Sequence, residues 1–285
     1  ETLVVTGSVA HHGDLIEDPI RVQARAIPSS TASRPDPRAE RTESTLIGDA
    51  KADGPALRDT VTGRAFTRRL DRLSVWSFVL LWLLAVISRI PEFVRATPSL
   101  EYLLLFGIGP LAGYVLADFI AGAAHWFADR FFESNTPWIG PLLIAPFREH
   151  HVDPQSISRH DFFEVSGNNA LATLPLVALL FFVPAGASFA ARLLFVTITS
   201  LTLALVATNQ LHGWAHSAEP PKIARWLQRR RLVLTPRAHA RHHRSHDRSY
   251  CVTSGWLNPA LDRLRLFDAL EHIFRFGRAD KKRTD

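Results

Sequence analysis

Leu73–Ile90 constrains this chain most: its eighteen residues read LSVWSFVLLWLLAVISRI, with no charge before Arg89. As a helix this run is roughly 27 Å long, close to the thickness of a bilayer core. A core helix of a soluble protein shows a polar face, and this run shows none. Three further apolar blocks follow: Leu100–His125, with Asp118 near its end; Ala170–Val183; and Ala187–Leu211, set off from the third by Pro184-Ala185-Gly186. The pattern predicts an all-α, polytopic membrane protein with about four transmembrane helices. The third block, about 14 to 16 residues, is short for a span and predicts a half-span or little tilt. No n-region or small-residue cleavage site precedes Leu73, which argues against a signal peptide.

The 47% apolar content averages two unlike parts. Residues 1–60 carry ten acidic and seven basic groups, net −3, so the rest carries +6 − (−3) = +9. Residues 1–62 are expected to be a disordered tail, because a Pro-, Ser-, Thr- and Arg-rich segment with no apolar period cannot offset its ordering entropy. The membrane domain is expected over 63–275, with a basic tail over 276–285. The chain begins with Glu1, so an upstream start is expected. Arginine outnumbers lysine 29 to four, which suggests a GC-rich bacterial genome.

Orientation follows from the flanks. Arg64, Arg68, Arg69 and Arg72 precede the first block, and Arg225, Arg229, Arg230 and Arg231 follow the last. The positive-inside rule places both ends in the cytoplasm, and four spans fit that parity. The expected location is a bacterial inner membrane, with no nucleic-acid partner. The links Pro91–Ser99 and Pro184–Gly186 then face the opposite side. Trp76, Trp82 and Trp138 read as interface anchors.

This topology gathers ten of the thirteen histidines at one membrane face. Asp118, Gly122, His125 and Asp129 form one helical stripe, and Gly122 allows a close neighbour. Asn209, His212 and His216 form a second stripe. His239, His242 and His243 share a helical face, with His246 a turn further. His150-His151 is an adjacent pair, and His160 precedes Asp161. Neutral imidazoles with a carboxylate or two suit first-row metals, and so many donors at one face argue for two ions. Glu149, Asp153 and Asp161, with Asp118 and Asn209, are candidates to support the ligands from outside. The single Cys251 excludes a cysteine-based metal site, and a buried structural thiol is its simpler role. A competing reading makes His242–His246, among Arg237, Arg241, Arg244 and Arg248, a solvated basic patch on lipid phosphates.

Read in order, these residues resemble the plasmanylethanolamine desaturase family, which includes a bacterial carotenogenesis-regulator type and the plant fatty acid desaturase 4 type. The matching text is Asp118-Phe-x-x-Gly122-x-x-His125-Trp126-x-x-Asp129, Pro146-Phe-Arg-Glu-His150-His151-x-Asp153-Pro154, Arg159-His160-Asp161-Phe162, Asn209-Gln-x-His212-x-Trp214-x-His216, His239-x-x-His242-His243 and Tyr250-Cys251-x-Thr253-x-Gly255-Trp256-Leu257-Asn258. It covers about residues 110–275 and none of 1–65. The resemblance implies four membrane helices with a cytoplasmic His-rich di-iron cap. It also implies O₂-dependent desaturation of an intact membrane phospholipid, a 1-O-alkyl ether becoming the vinyl ether of a plasmalogen. Electrons would come from an external donor protein of cytochrome b5-like or ferredoxin-like type. By position, His125, His150, His151, His160, His212, His216, His239, His242 and His243 are the implied iron ligands, with Asp129 as carboxylate partner. The segment from His243 to Tyr250 is one residue shorter than the family pattern, so His246 is left unassigned.

The substrate chain is expected in an apolar groove between the second and fourth spans, with Trp126, Phe127 and Trp214 as candidate walls. Arg148, Arg159, Lys222 and Arg229–Arg231 are candidates for the head-group phosphate; positive-inside charge alone explains the last run equally well. A fatty-acyl desaturase or hydroxylase would use the same iron site. A metal transporter would carry His and Asp at mid-bilayer rather than at helix ends. A non-catalytic membrane regulator would have no need of ten histidines.

Overall fold

The computed structural model describes residues 61–137, 139–140 and 144–281, which are helices and loops without strands. The expected tail over 1–62 falls almost entirely outside the described residues, as does Trp138. The helices are α1 (Val61–Ala96), α2 (Ser99–Phe131), α3 (Ala145–Val152), α4 (Ser156–Arg159), α5 (Phe162–Leu180), α6 (Phe189–His216), α7 (Lys222–Arg229), α8 (Pro236–Ser245), α9 (Asn258–Leu264) and α10 (Leu266–Lys281). Four of them, α1 from Phe66 onward, α2, α5 and α6, are long and apolar enough to cross a membrane, and the protein is an integral membrane protein. Helix α10 runs to Lys281, through the boundary expected at 275.

The four long helices form a bundle in which α2 lies along α6, α1 along α5, and α5 along α6. Arg68 and Glu164, 2.7 Å apart, tie the starts of α1 and α5 together. Arg192 and Glu101, 2.6 Å apart, tie the starts of α6 and α2 at the other end. The two pairs therefore run in opposite directions. Helices α2 and α6 approach closely at Gly109 and Gly113, where a Cβ on Gly113 would lie 2.6 Å from the Thr197 carbonyl oxygen. Small residues one turn apart let membrane helices pack backbone to backbone. The outer surface keeps large apolar side chains such as Leu100, 80% exposed, and Leu103, 77% exposed. Such a surface suits a hydrocarbon solvent, which imposes no cost on them.

Three expectations change. Pro91 does not end the first span: α1 continues through it to Ala96, leaving only Thr97-Pro98 as the link. The carbonyl oxygen of Pro91 accepts from Arg95 Nε one turn on, at 2.9 Å. The third span is not short. It begins at Phe162, where Asp161 caps the helix through the amides of Phe163 and Glu164 and Glu164 reaches back, and its 19 residues span roughly 28 Å. Its first turns are polar, which hides them from an apolar scan; Ser166 and Gly167 are buried against the bundle. Trp82 is not an interface anchor, because its indole N–H points across to Thr202 Oγ1 on α6 at 3.2 Å. A half-buried indole inside a bundle still needs a partner for its N–H, and here α6 supplies it.

Helix α2, with 33 residues, extends to roughly 50 Å and so outruns a bilayer core of about 30 Å. Its surplus, from Asp118 onward, is covered by the C-terminal segment. Asp118, wholly buried, accepts from the amides of Thr253, Ser254, Gly255 and Leu257 at 2.7–3.3 Å. Gly122 admits Cys251: a Cβ there would meet the Cys251 sulfur at 2.6 Å. Helix α10 closes the end of α2, with Arg130 bonded to both carboxylate oxygens of Glu271 and Phe267 packed on Trp126.

Candidate metal centre

Two clusters of donors lie at this end. His125, Asp129, His151 and His242 form one; His150, His212, His216, His239 and His243 form the other, with the ligand atoms in each within 4.8 Å of one another. Helix α2 supplies His125 and Asp129 to the first cluster, and α6 supplies His212 and His216 to the second. The short helices feed both. On α3 the adjacent pair splits, His150 to one cluster and His151 to the other; α8 sends His242 to the first and His239 and His243 to the second. Adjacent positions point about 100° apart on a helix, so one short helix can serve two neighbouring ions.

The spacing in the first cluster matches a shared cation. Nε2 of His151 lies 3.4 Å from that of His125 and 3.3 Å from that of His242. Asp129 Oδ2 lies 3.4, 3.6 and 3.4 Å from His125, His151 and His242. Four donors around one first-row ion at about 2.1 Å, arranged tetrahedrally, stand about 3.4 Å apart. In the second cluster the Nε2 atoms of His212, His239, His243 and His216 close a ring with contacts of 2.8, 3.0, 3.3 and 3.2 Å. A neutral imidazole nitrogen either donates or accepts, so a ring of four satisfies at most two such contacts by hydrogen bonds. A cation at the centre satisfies all of them.

Buried polar atoms without partners give a second test. Asp129 Oδ2 and His150 Nε2, one in each cluster, are buried and have no hydrogen-bond partner. Buried polar groups left in that state cost roughly 1–3 kcal/mol each, more for a charged one, unless something absent from the chain completes them. Burial, reinforced by neighbouring imidazoles, lowers His150 to about 2, His151 to about 3 and His243 to about 4. These rings are neutral at pH 7 and offer lone pairs without first losing a proton. The residues fit two first-row metals.

Ring orientation in the first cluster is fixed by backbone rather than by the expected acids. Nδ1 of His125 donates to the Tyr250 carbonyl at 3.2 Å, and Nδ1 of His242 donates to the Arg248 carbonyl at 2.9 Å. The expected outer acids are occupied elsewhere. Asp118 holds the C-terminal loop, Asp153 pairs with Arg159, and Asp161 caps α5. Glu149 lines a small cavity beside His150. Asn209 donates to the Val165 carbonyl and to Asn169 Oδ1, both at 3.1 Å. His160 belongs to neither cluster; its ring lies 3.2 Å from Glu164, which the D-x-x-E spacing of a capping box marks in the sequence. His246, outside both clusters, stacks on His151 with ring centroids 4.7 Å apart.

Two neighbouring cavities lie on this side of the bundle, and the smaller one reaches the second cluster. One, of about 60 Å³, is lined by His150, His212, His160 and Ile157. The other, of about 180 Å³, lies between α2, α5 and α6 and is walled by Ile120, Ala124, Leu176 and Leu205. Phe147 and Asn209 line both. Phe147 stands in the matching text of the resemblance, but one aromatic beside an HH pair carries no period that would mark it as a cavity wall. Trp126 is buried in an aromatic cluster with Phe131 and Phe267, and Trp214 lines a separate cavity with His160 and Gly213. Arg148 donates to the carbonyls of Phe132 and Asp129, clamping the end of α2.

Comparison with known proteins agrees with this geometry. Residues 114–285 match the lipid desaturase domain family. The chain is 37% identical over 183 residues to the plasmanylethanolamine desaturase of Myxococcus xanthus, an alignment covering 61% of this chain and 62% of that protein. It is 35% identical over 191 residues to plasmanylethanolamine desaturase 1 of Mus musculus, covering 65% and 70%. It is 33% identical over 169 residues to the chloroplastic fatty acid desaturase 4 of Arabidopsis thaliana, covering 58% and 50%. The chain thus spans less than two thirds of the first of these relatives. No solved structure matches it. With its histidine clusters lying inside the matched region, the chain belongs to the lipid desaturase domain family.

Proposed function

We propose that the protein is an O₂-dependent di-iron lipid desaturase that introduces the vinyl ether double bond of a plasmalogen into a 1-O-alkyl-2-acyl-glycerophosphoethanolamine. The observation that carries this reading is the pair of interlocked donor clusters, each with one buried, unpartnered ligand atom, beside a small cavity that shares Phe147 and Asn209 with an apolar cavity between the helices. The proposed ligand set is the nine donors of the two clusters; His160, held by Glu164, stands outside it. When bound, two irons would supply O₂-dependent oxidation of an unactivated CH₂, chemistry that no side chain provides.

The chain's own residues then have defined work. Eight imidazoles, which bind as uncharged ligands, hold the ions without building up charge, and Asp129 supplies the one carboxylate. The carbonyls of Tyr250 and Arg248 fix two rings with Nε2 forward. Ile120, Ala124, Leu176 and Leu205 exclude water and hold an alkyl chain by apolar contact. Phe147 and Asn209, common to both cavities, set how far a C–C bond advances toward His150 and His212, and alignment at that point selects the bond. The flanking arginines favour a cytoplasmic location for both ends and for the metal-bearing face, in a bacterial inner membrane. A cytochrome b5-like or ferredoxin-like protein would supply electrons.

A second reading, desaturation of a fatty-acyl phospholipid, is favoured by the likeness to fatty acid desaturase 4. Lipid analysis separates the two. Expressed in a plasmalogen-free bacterium fed alkyl ether lipid, the chain is expected to yield acid-labile vinyl ether lipid only when O₂ is present. A new acyl double bond with the ether lipid untouched would establish the second reading, and no new lipid despite a loaded centre would overturn both.

A further inference from the structure

Helix α8 has two opposed faces. His239, His242 and His243 face the clusters, with His239 and His242 buried. Arg237, Arg241 and Arg244 are all exposed and make no ion pair among the described residues. At about 100° per residue the mean direction of these three arginines is roughly 180° from that of the three histidines. The arginine face therefore points away from α2 and α6, and only the width of one helix, about 10 Å, separates it from the ligands. At the C-terminal end of α8 the exposed His246, held at φ 53°, stacks on the ligand candidate His151.

We infer that the Arg237–Arg241–Arg244 face is the docking surface for an acidic one-electron carrier protein, with His246 at its edge beside the metal-bearing cluster. The argument is charge complementarity placed directly over the centre: three unpaired cations on a rigid helix attract and orient a negatively charged partner. The nearby Arg248 is already paired with Asp247 and adds little net charge. The inference rests on the desaturase reading, and the electron balance shows why that reading needs an electron carrier. Forming one C=C bond removes two hydrogens from the substrate, that is two electrons and two protons. Reducing O₂ to two waters takes four electrons and four protons. Two reduced carriers, each oxidised by one electron in turn, supply the missing pair, and solvent supplies two protons.

The test uses the full chain in nanodiscs, iron-loaded, with the soluble domain of cytochrome b5 and a plant-type ferredoxin as acidic probes and cytochrome c as the basic control. The wild type is expected to bind an acidic probe with an affinity that falls as salt rises, and to ignore cytochrome c. The triple variant R237E/R241E/R244E is expected to bind at least about tenfold more weakly. R237Q/R241Q/R244Q should fall between, with iron content and dithionite-driven turnover unchanged in both. Equal probe binding by wild type and variants, or no binding by the wild type, would overturn the inference. Lost binding to phosphatidylglycerol vesicles with carrier binding intact would assign the face to lipid and overturn it too. Absence of product with dithionite in the wild type would count against the desaturase reading, while the binding measurements still decide the docking surface.

Discussion

The two donor clusters share helices α3 and α8 but differ in how they are held. The first contains the carboxylate of Asp129, and two of its three imidazoles are locked through Nδ1 to the Tyr250 and Arg248 carbonyls. The second is all imidazole, with Nδ1 of His239 buried and unpartnered, and two of its members, His150 and His212, line the small cavity. One cluster contains a carboxylate and is braced from outside; the other is all imidazole and borders the small cavity. Bracing limits reorganisation and fixes a ligand's tautomer. An open position beside a cavity is where a co-substrate must arrive. On the proposed function, the difference places the second cluster on the substrate side and the first on the side facing the C-terminal loop.

Removing a ligand from either cluster tests whether the two are interdependent. H242A and H216A are each expected to cut product formation by more than about 100-fold, beyond the 10–100-fold usual for an outer partner. If the clusters are separate ion sites, metal analysis should show the bound iron falling from two ions per chain toward one. A variant that keeps both ions and full turnover would break the assignment.

D129N sharpens the contrast in charge, because it keeps the shape and removes the anion from the first cluster only. Weaker iron retention by about 10–100-fold is expected, read by competition with a chelator. Unchanged retention would mean that the carboxylate is not a ligand.

D118N reaches the first cluster indirectly. It weakens four amide contacts to the loop that carries the Tyr250 carbonyl. The expected loss is about 1–3 kcal/mol of stability, visible in the thermal unfolding of the purified chain. G122A acts at the same seam by forcing a Cβ against Cys251, with a loss of about 1–3 kcal/mol from overpacking. R159Q, at the exposed pair with Asp153, should change turnover less than twofold; a large effect would instead mark Arg159 as a head-group contact.

Much of this was legible in the sequence. The unbroken apolar run Leu73–Ile90 specifies a span whatever surrounds it, and the helical stripes together with the His150-His151 pair contain the nine donors, eight histidines and Asp129, that the fold brings together. What escaped depends on contacts between distant segments. The start of α5 is polar and reads as loop until Asp161 and Glu164 are seen as a cap. The groups that orient His125 and His242 are main-chain carbonyls, which leave no side-chain signature, so nearby acids stood in their place. Asp118 sits on the same stripe as His125 yet serves the loop, because a stripe fixes direction and not depth.

If one chain holds two adjacent irons in unlike clusters, its iron count must follow the ligands of each cluster. The most direct test is the iron content of the purified, folded wild-type chain set beside that of D129N and H216A. Two irons are expected per wild-type chain, with D129N releasing one more readily and H216A lacking the other. An active wild type that holds a single metal ion, or variants that leave the count at two, would contradict it.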